Sequence, residues 1–136
     1  MKAVLDTNCA LEIAFNKTDA VRLKTLLDES DAVLAPDLII PEFVNALWQL
    51  HRLSGVSLSL CQEAGELLFD LVGTFVPSQE IYREAFALTR AQQSRAAVVH
   101  TYDMFYLALA RRENAVLLTL DATLKKEAKR AGIRVG

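Results

Sequence analysis

Four acidic residues stand where carboxylates do chemistry. Asp6 and Asp121 each end a short apolar run, and Glu42 and Asp103 each lie just inside the start of an amphipathic pattern. Lys2-Ala3-Val4-Leu5-Asp6 and Val116-Leu117-Leu118-Thr119-Leu120-Asp121 share one design: apolar residues, then a carboxylate. Such runs suit strands buried on both faces of a parallel sheet, and those sheets place their chemistry outside the carboxyl ends of the strands. In a doubly wound domain the helix N-termini share that edge. Glu42, after Pro41, and Asp103, after Thr101 and Tyr102, are therefore expected at the same rim. Carboxylates brought together repel unless something neutralises them. A hard divalent cation does so, and Mg²⁺ takes one or two carboxylates while keeping waters and substrate phosphate.

Each acid also has a purely structural reading. Asp6 and Asp121 suit helix N-caps. Glu42 and Asp103 lie where a helix dipole stabilises an acid by roughly 0.3–1 kcal/mol. Caps alone account poorly for all four falling on one edge.

The elements that must position these residues alternate. Strands are expected at residues 2–6, 32–35 (closed by Pro36), 74–76 (closed by Pro77), 116–120 and 133–135. Helical spacing appears after Asp6, with Leu11, Ala14 and Phe15, and again over roughly 19–29. A long helix runs from Leu38 to Leu53, with Pro41 near its start and Gly55 as its stop. The next starts near Ser59, with Gln62 as a capping-box partner, and runs to about Leu71. Ser78 is expected to cap a helix carrying Ile81, Ala85, Leu88 and Ala91, ended by Gln92-Gln93-Ser94-Arg95. Thr101 is expected to cap a helix with Phe105, Tyr106, Leu109 and Ala110 facing inward. A basic helix covers 122–131 and ends at Gly132. The alternation predicts an α/β layered domain around a mostly parallel sheet of four to five strands.

The totals agree. The 136 residues suit one domain with a single core, spanning 1–136, and 52% hydrophobic content fills that core. No apolar run reaches the length of a membrane span and no signal-peptide pattern opens the chain, so a cytoplasmic protein with no membrane partner is expected. Cys9 and Cys61 form no CxxC pair and read as small apolar fillers. A net charge of −2 excludes nucleic-acid binding by bulk charge, leaving local patches or a bound cation. Lys125, Lys126, Lys129 and Arg130, with Arg111 and Arg112, form such a patch, which reads equally as an ordinary solvated surface. Phe43, Trp48, Phe69, Phe105 and Tyr106 sit at apolar helix spacing and read as core or dimer surface. Aromatics are sparse enough that base stacking looks limited.

Taken together, Val4-Leu5-Asp6-Thr7-Asn8, Pro41-Glu42-Phe43-Val44-Asn45-Ala46-Leu47, Tyr102-Asp103-Met104-Phe105-Tyr106-Leu107-Ala108-Leu109-Ala110 and Leu118-Thr119-Leu120-Asp121 resemble the PIN-domain family, and within it the VapC-type toxins of toxin–antitoxin pairs. The resemblance covers nearly the whole chain. It implies that Asp6, Glu42, Asp103 and Asp121 form an acidic catalytic site, with Asp6 and Asp103 the first choices as direct metal ligands. Asp121 and Glu42 are left to a second ion, a ligating water or the nucleophile. Asn8 falls where the family has a small polar residue, often serine, and Thr119 at its hydroxyl position before the last aspartate. His100 lies outside the pattern and is expected to hydrogen-bond at a helix start.

The implied reaction is Mg²⁺- or Mn²⁺-dependent hydrolysis of RNA phosphodiester bonds that leaves a 5′ phosphate. The implied partners are an RNA substrate, a cognate antitoxin protein and a second copy in a homodimer, the helices around residues 38–71 carrying more apolar residues than one face needs. Two alternatives compete. A non-catalytic RNA- or protein-binding module of the same fold has no need to hold repelling charges together. A phosphoacceptor receiver domain would need a lysine near the end of a late strand, and Leu118-Thr119-Leu120-Asp121 offers none.

Overall fold

The computed structural model describes residues 1–92 and 100–136. Its centre is a four-stranded parallel sheet: β1 (Lys2–Leu5), β2 (Ala32–Pro36), β3 (Thr74–Val76) and β4 (Val116–Leu118), in the order β3-β2-β1-β4. Around it, among the described residues, lie seven helices: α1 (Thr7–Ala14), α2 (Ala20–Asp28), α3 (Ile39–Ser54), α4 (Leu58–Leu71), α5 (Tyr82–Arg90), α6 (Thr101–Glu113) and α7 (Ala122–Arg130). This is the α/β architecture that the alternating patterns predict.

Burial explains the strand sequences. Ala3, Val4, Leu5, Leu117 and Leu118 are essentially inaccessible, as β-sheet residues covered on both faces must be. β1 is central, flanked by β2 and β4, and the register pairs Leu5 with Leu118. Helix α6 packs on β1, β2 and β4, and Met104 and Tyr106 through Ala110 are all buried. A helix apolar on nearly every side belongs in the middle of a domain. Helices α1 to α4 pack against one another, and α5 lies along α6. Among the described residues no helix is long and apolar enough to cross a membrane.

Several expected boundaries move, each for a local reason. The last strand stops at Leu118 instead of 120, because Thr119 turns its hydroxyl onto the Asp6 carboxylate. Residues 133–135 make one bridge, Val135 to Leu117, in place of the expected strand, the Ile133 N–H being taken by the Ala128 carbonyl at the end of α7. Pro36 is the last residue of β2, paired in register with Val76, where the expectation made it a terminator. Helix α4 is capped by Ser57, whose hydroxyl accepts the Leu60 N–H at 3.1 Å, in place of Ser59.

Ser78 caps no α-helix. It opens a 3-10 turn, Ser78–Glu80, and its N–H and hydroxyl both donate to Asp37, so α5 starts four residues later. Thr101 is the first residue of α6, and His100 holds the cap position without a side-chain cap hydrogen bond. Gly55 closes α3 at φ 71°, a left-handed conformation that glycine adopts without strain, as expected. Of the stretch expected to end α5, Gln93-Ser94-Arg95 lies outside the described residues.

Candidate active site

The parallel sheet brings Asp6 and Asp121 to one edge because β1 and β4 are neighbours in register. The Asp6 N–H continues the ladder to the Leu118 carbonyl at 3.0 Å, and there both strands end. Asp6 is 5% exposed. Its carboxylate caps α1 by accepting the Thr7 N–H at 2.7 Å, and its other oxygen accepts the Thr119 hydroxyl at 2.7 Å. Thr119, buried, in turn accepts the Asp121 N–H at 3.1 Å and the Asn8 amide at 3.4 Å. The Asn8 side-chain oxygen Oδ1 accepts the Leu120 N–H at 3.1 Å. Asn8 and Thr119 thus lace together the two strand ends that carry the aspartates. Asp121 caps α7, accepting N–H bonds from Thr123 at 2.8 Å and Leu124 at 3.1 Å.

Glu42 and Asp103 lie in the first turns of α3 and α6. One Glu42 oxygen accepts the Tyr106 hydroxyl at 2.6 Å and the Thr7 hydroxyl at 3.2 Å, and the two hydroxyls lie 2.9 Å apart. Sequence reasoning placed Tyr106 in the core, where it is, but missed what its hydroxyl does there. The signal was present: Tyr106 follows Asp103 by three residues on one helix face, and a buried tyrosine hydroxyl requires a polar partner. The Thr7 hydroxyl donates to the same Glu42 oxygen.

Asp6 and Asp103 sense the neighbouring acids. Burial pushes the Asp6 carboxyl up to about 7, helped by the charges of Asp103 and Glu42 and opposed by the hydrogen bonds from Thr119 and Thr7. Burial likewise pushes Asp103 up to about 6, with Asp121 and Glu42 adding to it and His100 opposing. Burial first, then Glu42 and Asp6, drive the Tyr106 hydroxyl upward, so it stays a donor. Burial and Asp6 push the Cys9 thiol up to about 12, which makes it an inert filler. The charges thus link into one network: Asp6 with Asp103 and Glu42, and Asp103 with Asp121 and Glu42.

Among the described residues, no group of three or more acids, histidines or cysteines is gathered tightly enough, as placed, to hold a metal ion. The donor chemistry nevertheless fits a hard divalent cation: four carboxylates meet through their fields, two of them held toward the protonated form by burial and mutual repulsion. Asp6 and Asp121 serve as N-caps, as their structural reading expects, while Asp103 acts on Asp6, and Asp121 on Asp103, through charge.

The surrounding patches divide. Arg112 is taken by Glu80 and Glu113, and Arg130 by Glu127. Lys126 and Lys129 are exposed on α7, and Lys125 lies close enough to the rim for its charge to reach Cys9. Phe43 and Tyr106 are buried, whereas Trp48 and Phe69 are more than half exposed.

The PIN domain family model matches residues 3–130. No curated protein matches the sequence. Among solved structures, VapBC2 from Rickettsia felis, bound to a DNA fragment from their promoter, superposes with a TM-score of 0.72 at 14% identity, over 100% of this chain and 98% of that one. FitAcB from Neisseria gonorrhoeae gives 0.69 at 18% identity, over 98% of this chain and 95% of that one. Mycobacterium tuberculosis VapC20, a sarcin-ricin loop cleaving toxin, gives 0.66 at 15% identity, over 96% and 95%. At these identities the structural likeness is one of fold.

Proposed function

Because the chain belongs to the PIN-domain family, we infer that it is a divalent-metal-dependent endoribonuclease, acting in the cytoplasm as the toxin of a toxin–antitoxin pair. The observation that carries this reading is the charge network of Asp6, Glu42, Asp103 and Asp121 at the carboxyl edge of the sheet. A non-catalytic module would gain nothing from holding four acids together at that cost.

In this reading Asp6, Asp103 and Asp121 hold Mg²⁺ or Mn²⁺, which when bound activates water and neutralises charge growing on the phosphate. Asn8 and Thr119 fix the two strand ends, and with them the positions of the Asp6 and Asp121 carboxylates that would hold the ion. Glu42, gripped on one oxygen by Tyr106 and Thr7, would orient the attacking water with its other oxygen. The water oxygen bonds to phosphorus, the bond from phosphorus to the 3′ oxygen breaks, and the departing oxygen takes a proton. A 5′ phosphate and a 3′ hydroxyl result. Lys125, Lys126 and Lys129 steady neighbouring phosphates. The similar VapC20, a sarcin-ricin loop cleaving toxin, favours RNA as the substrate.

The antitoxin and a second copy of the chain are assigned to the apolar strip over α3 and α4, where Val44, Trp48, Leu53, Leu58, Leu60 and Phe69 are each more than half exposed. The similar VapBC2 structure favours a partner of that kind. The test is cleavage of RNA by the purified protein. Mn²⁺ or Mg²⁺ should support it, excess EDTA should stop it, and Asp6→Asn should abolish it while the protein still folds. Undiminished cleavage by Asp6→Asn, or in EDTA, would reject the mechanism.

A further inference from the structure

Beside the carboxylates lies a cavity of about 340 Å³ between the starts of α3 and α6, lined by Leu38, Pro41, Glu42, Asn45 and Tyr102. Its position is unusual in two respects. Glu42 belongs both to this wall and to the acidic network, so the cavity and the candidate active site share a side chain. Tyr102 stands immediately before Asp103 in the first turn of α6, and the residue is 67% exposed. Leaving an aromatic ring in water costs hydrophobic free energy that packing would recover, and neither the core nor the apolar strip on α3 and α4 uses this one.

We propose that this cavity is a subsite for one unpaired nucleobase next to the scissile phosphate, stacked on Tyr102 and read along its edge by Asn45. The inference rests on the ribonuclease reading for its choice of ligand. Chemistry favours a base over the alternatives. The lining has no lysine or arginine, and its one charged group is an acid, so a phosphate or an acidic peptide is repelled. Leu38 and Pro41 supply an apolar floor and Tyr102 a π face, the two surfaces between which a base settles. The exposed Asn45 amide offers both a donor and acceptors, matching the mixed edge of a base.

The shared Glu42 supports the same choice. A base is joined through its ribose to the phosphate at the carboxylates, and the cavity has one of those carboxylates in its wall. Only a base freed from its helix stack can enter, so the substrate is unpaired at the cut, in a loop or a single strand. The sparse aromatics of the chain thus do not preclude stacking, because one exposed ring at the rim suffices.

The test uses single-stranded RNA oligomers with 2-aminopurine walked through successive positions, bound to the full chain carrying Asp6→Asn so that the RNA stays whole. One position should show quenching that Tyr102→Ala removes and that Tyr102→Phe and Tyr102→Trp keep. Tyr102→Ala should also weaken RNA binding roughly tenfold. In the Asp6 background the same change should raise KM for cleavage. Quenching and affinity that ignore Tyr102→Ala at every position would overturn the subsite while leaving ribonuclease activity intact. Tyr102-dependent quenching in a protein that cuts no RNA would uphold the subsite and reject the ribonuclease reading. Unchanged RNA binding together with lost capture of an antitoxin peptide by Tyr102→Ala would give the cavity to a protein partner and overturn the proposal.

Discussion

Tyr106 donates a 2.6 Å hydrogen bond to the Glu42 carboxylate from 64 residues further along the chain. The bond joins the first turn of α3 to the buried face of α6, and it leaves Glu42 little freedom to move. Removing the hydroxyl withdraws a neutral donor from a partly buried acid, a change of about 1–3 kcal/mol. Tyr106→Phe should therefore lose about that much stability in urea denaturation. It should also lower kcat for RNA cleavage with little change in KM, since Tyr106 is fully buried. An unchanged kcat would show that Glu42 needs no such anchor.

The pH dependence of stability follows from Asp6 and Asp103. Both folded-state values, about 7 and about 6, lie above the ordinary 3.8. Between 3.8 and those values the folded protein binds more protons than the unfolded chain, so stability falls as pH rises through that window. The metal-free protein should melt at a lower temperature at pH 8 than at pH 5, as far as these two groups decide it. Asp6→Asn should flatten the slope. Differential scanning calorimetry of both proteins across that range checks the sign, and a slope unaffected by Asp6→Asn would contradict the burial and repulsion assigned to that carboxyl.

The Thr119 hydroxyl is a hub. It donates to Asp6 and accepts from Asp121 and Asn8, inside a buried site. Thr119→Val keeps the shape but strands those partners, at about 1–3 kcal/mol. Thr119→Ser should recover most of the loss, because it restores the hydroxyl and gives up only a methyl group. If valine proves as stable as threonine in denaturant titration, the lacing of the two strand ends is not what holds the rim.

The exposed Trp48 and Leu53 on α3 give the partner surface a direct check. Trp48→Glu combined with Leu53→Glu places charge on a strip that is 55% and 70% exposed at those positions. Sedimentation should shift from dimer to monomer with the melting temperature of the monomer nearly unchanged. A dimer that survives both changes would move the interface elsewhere.

The parts legible in the sequence were those fixed by burial. Val4-Leu5 and Leu117-Leu118 read as strands because only a doubly covered sheet accommodates such runs, and their pairing then brings Asp6 and Asp121 to one edge. Glu42 and Asp103 were legible because helix starts share that edge. What escaped was set by tertiary partners. The Tyr106 hydroxyl looks like core until α3 is folded over it, and Ser78 looks like a helix cap until Asp37 claims it. Residues 133–135 carry the composition of a strand, but the end of α7 takes the Ile133 N–H and Val135 makes a single bridge. Spacing alone also left Trp48 and Phe69 divided between core and surface, since periodicity names a face without saying what covers it.

The most direct test of the gathered carboxylates is Mn²⁺ titration by isothermal calorimetry at pH 6.5, repeated in buffers of different ionisation enthalpy. With Asp6 held near 7 and Asp103 near 6, an ion entering among them must displace protons. Binding should be accompanied by net proton release that Asp6→Asn and Asp103→Asn each diminish. Absence of binding, or binding with the same proton release in all three proteins, would contradict a metal site built from these acids.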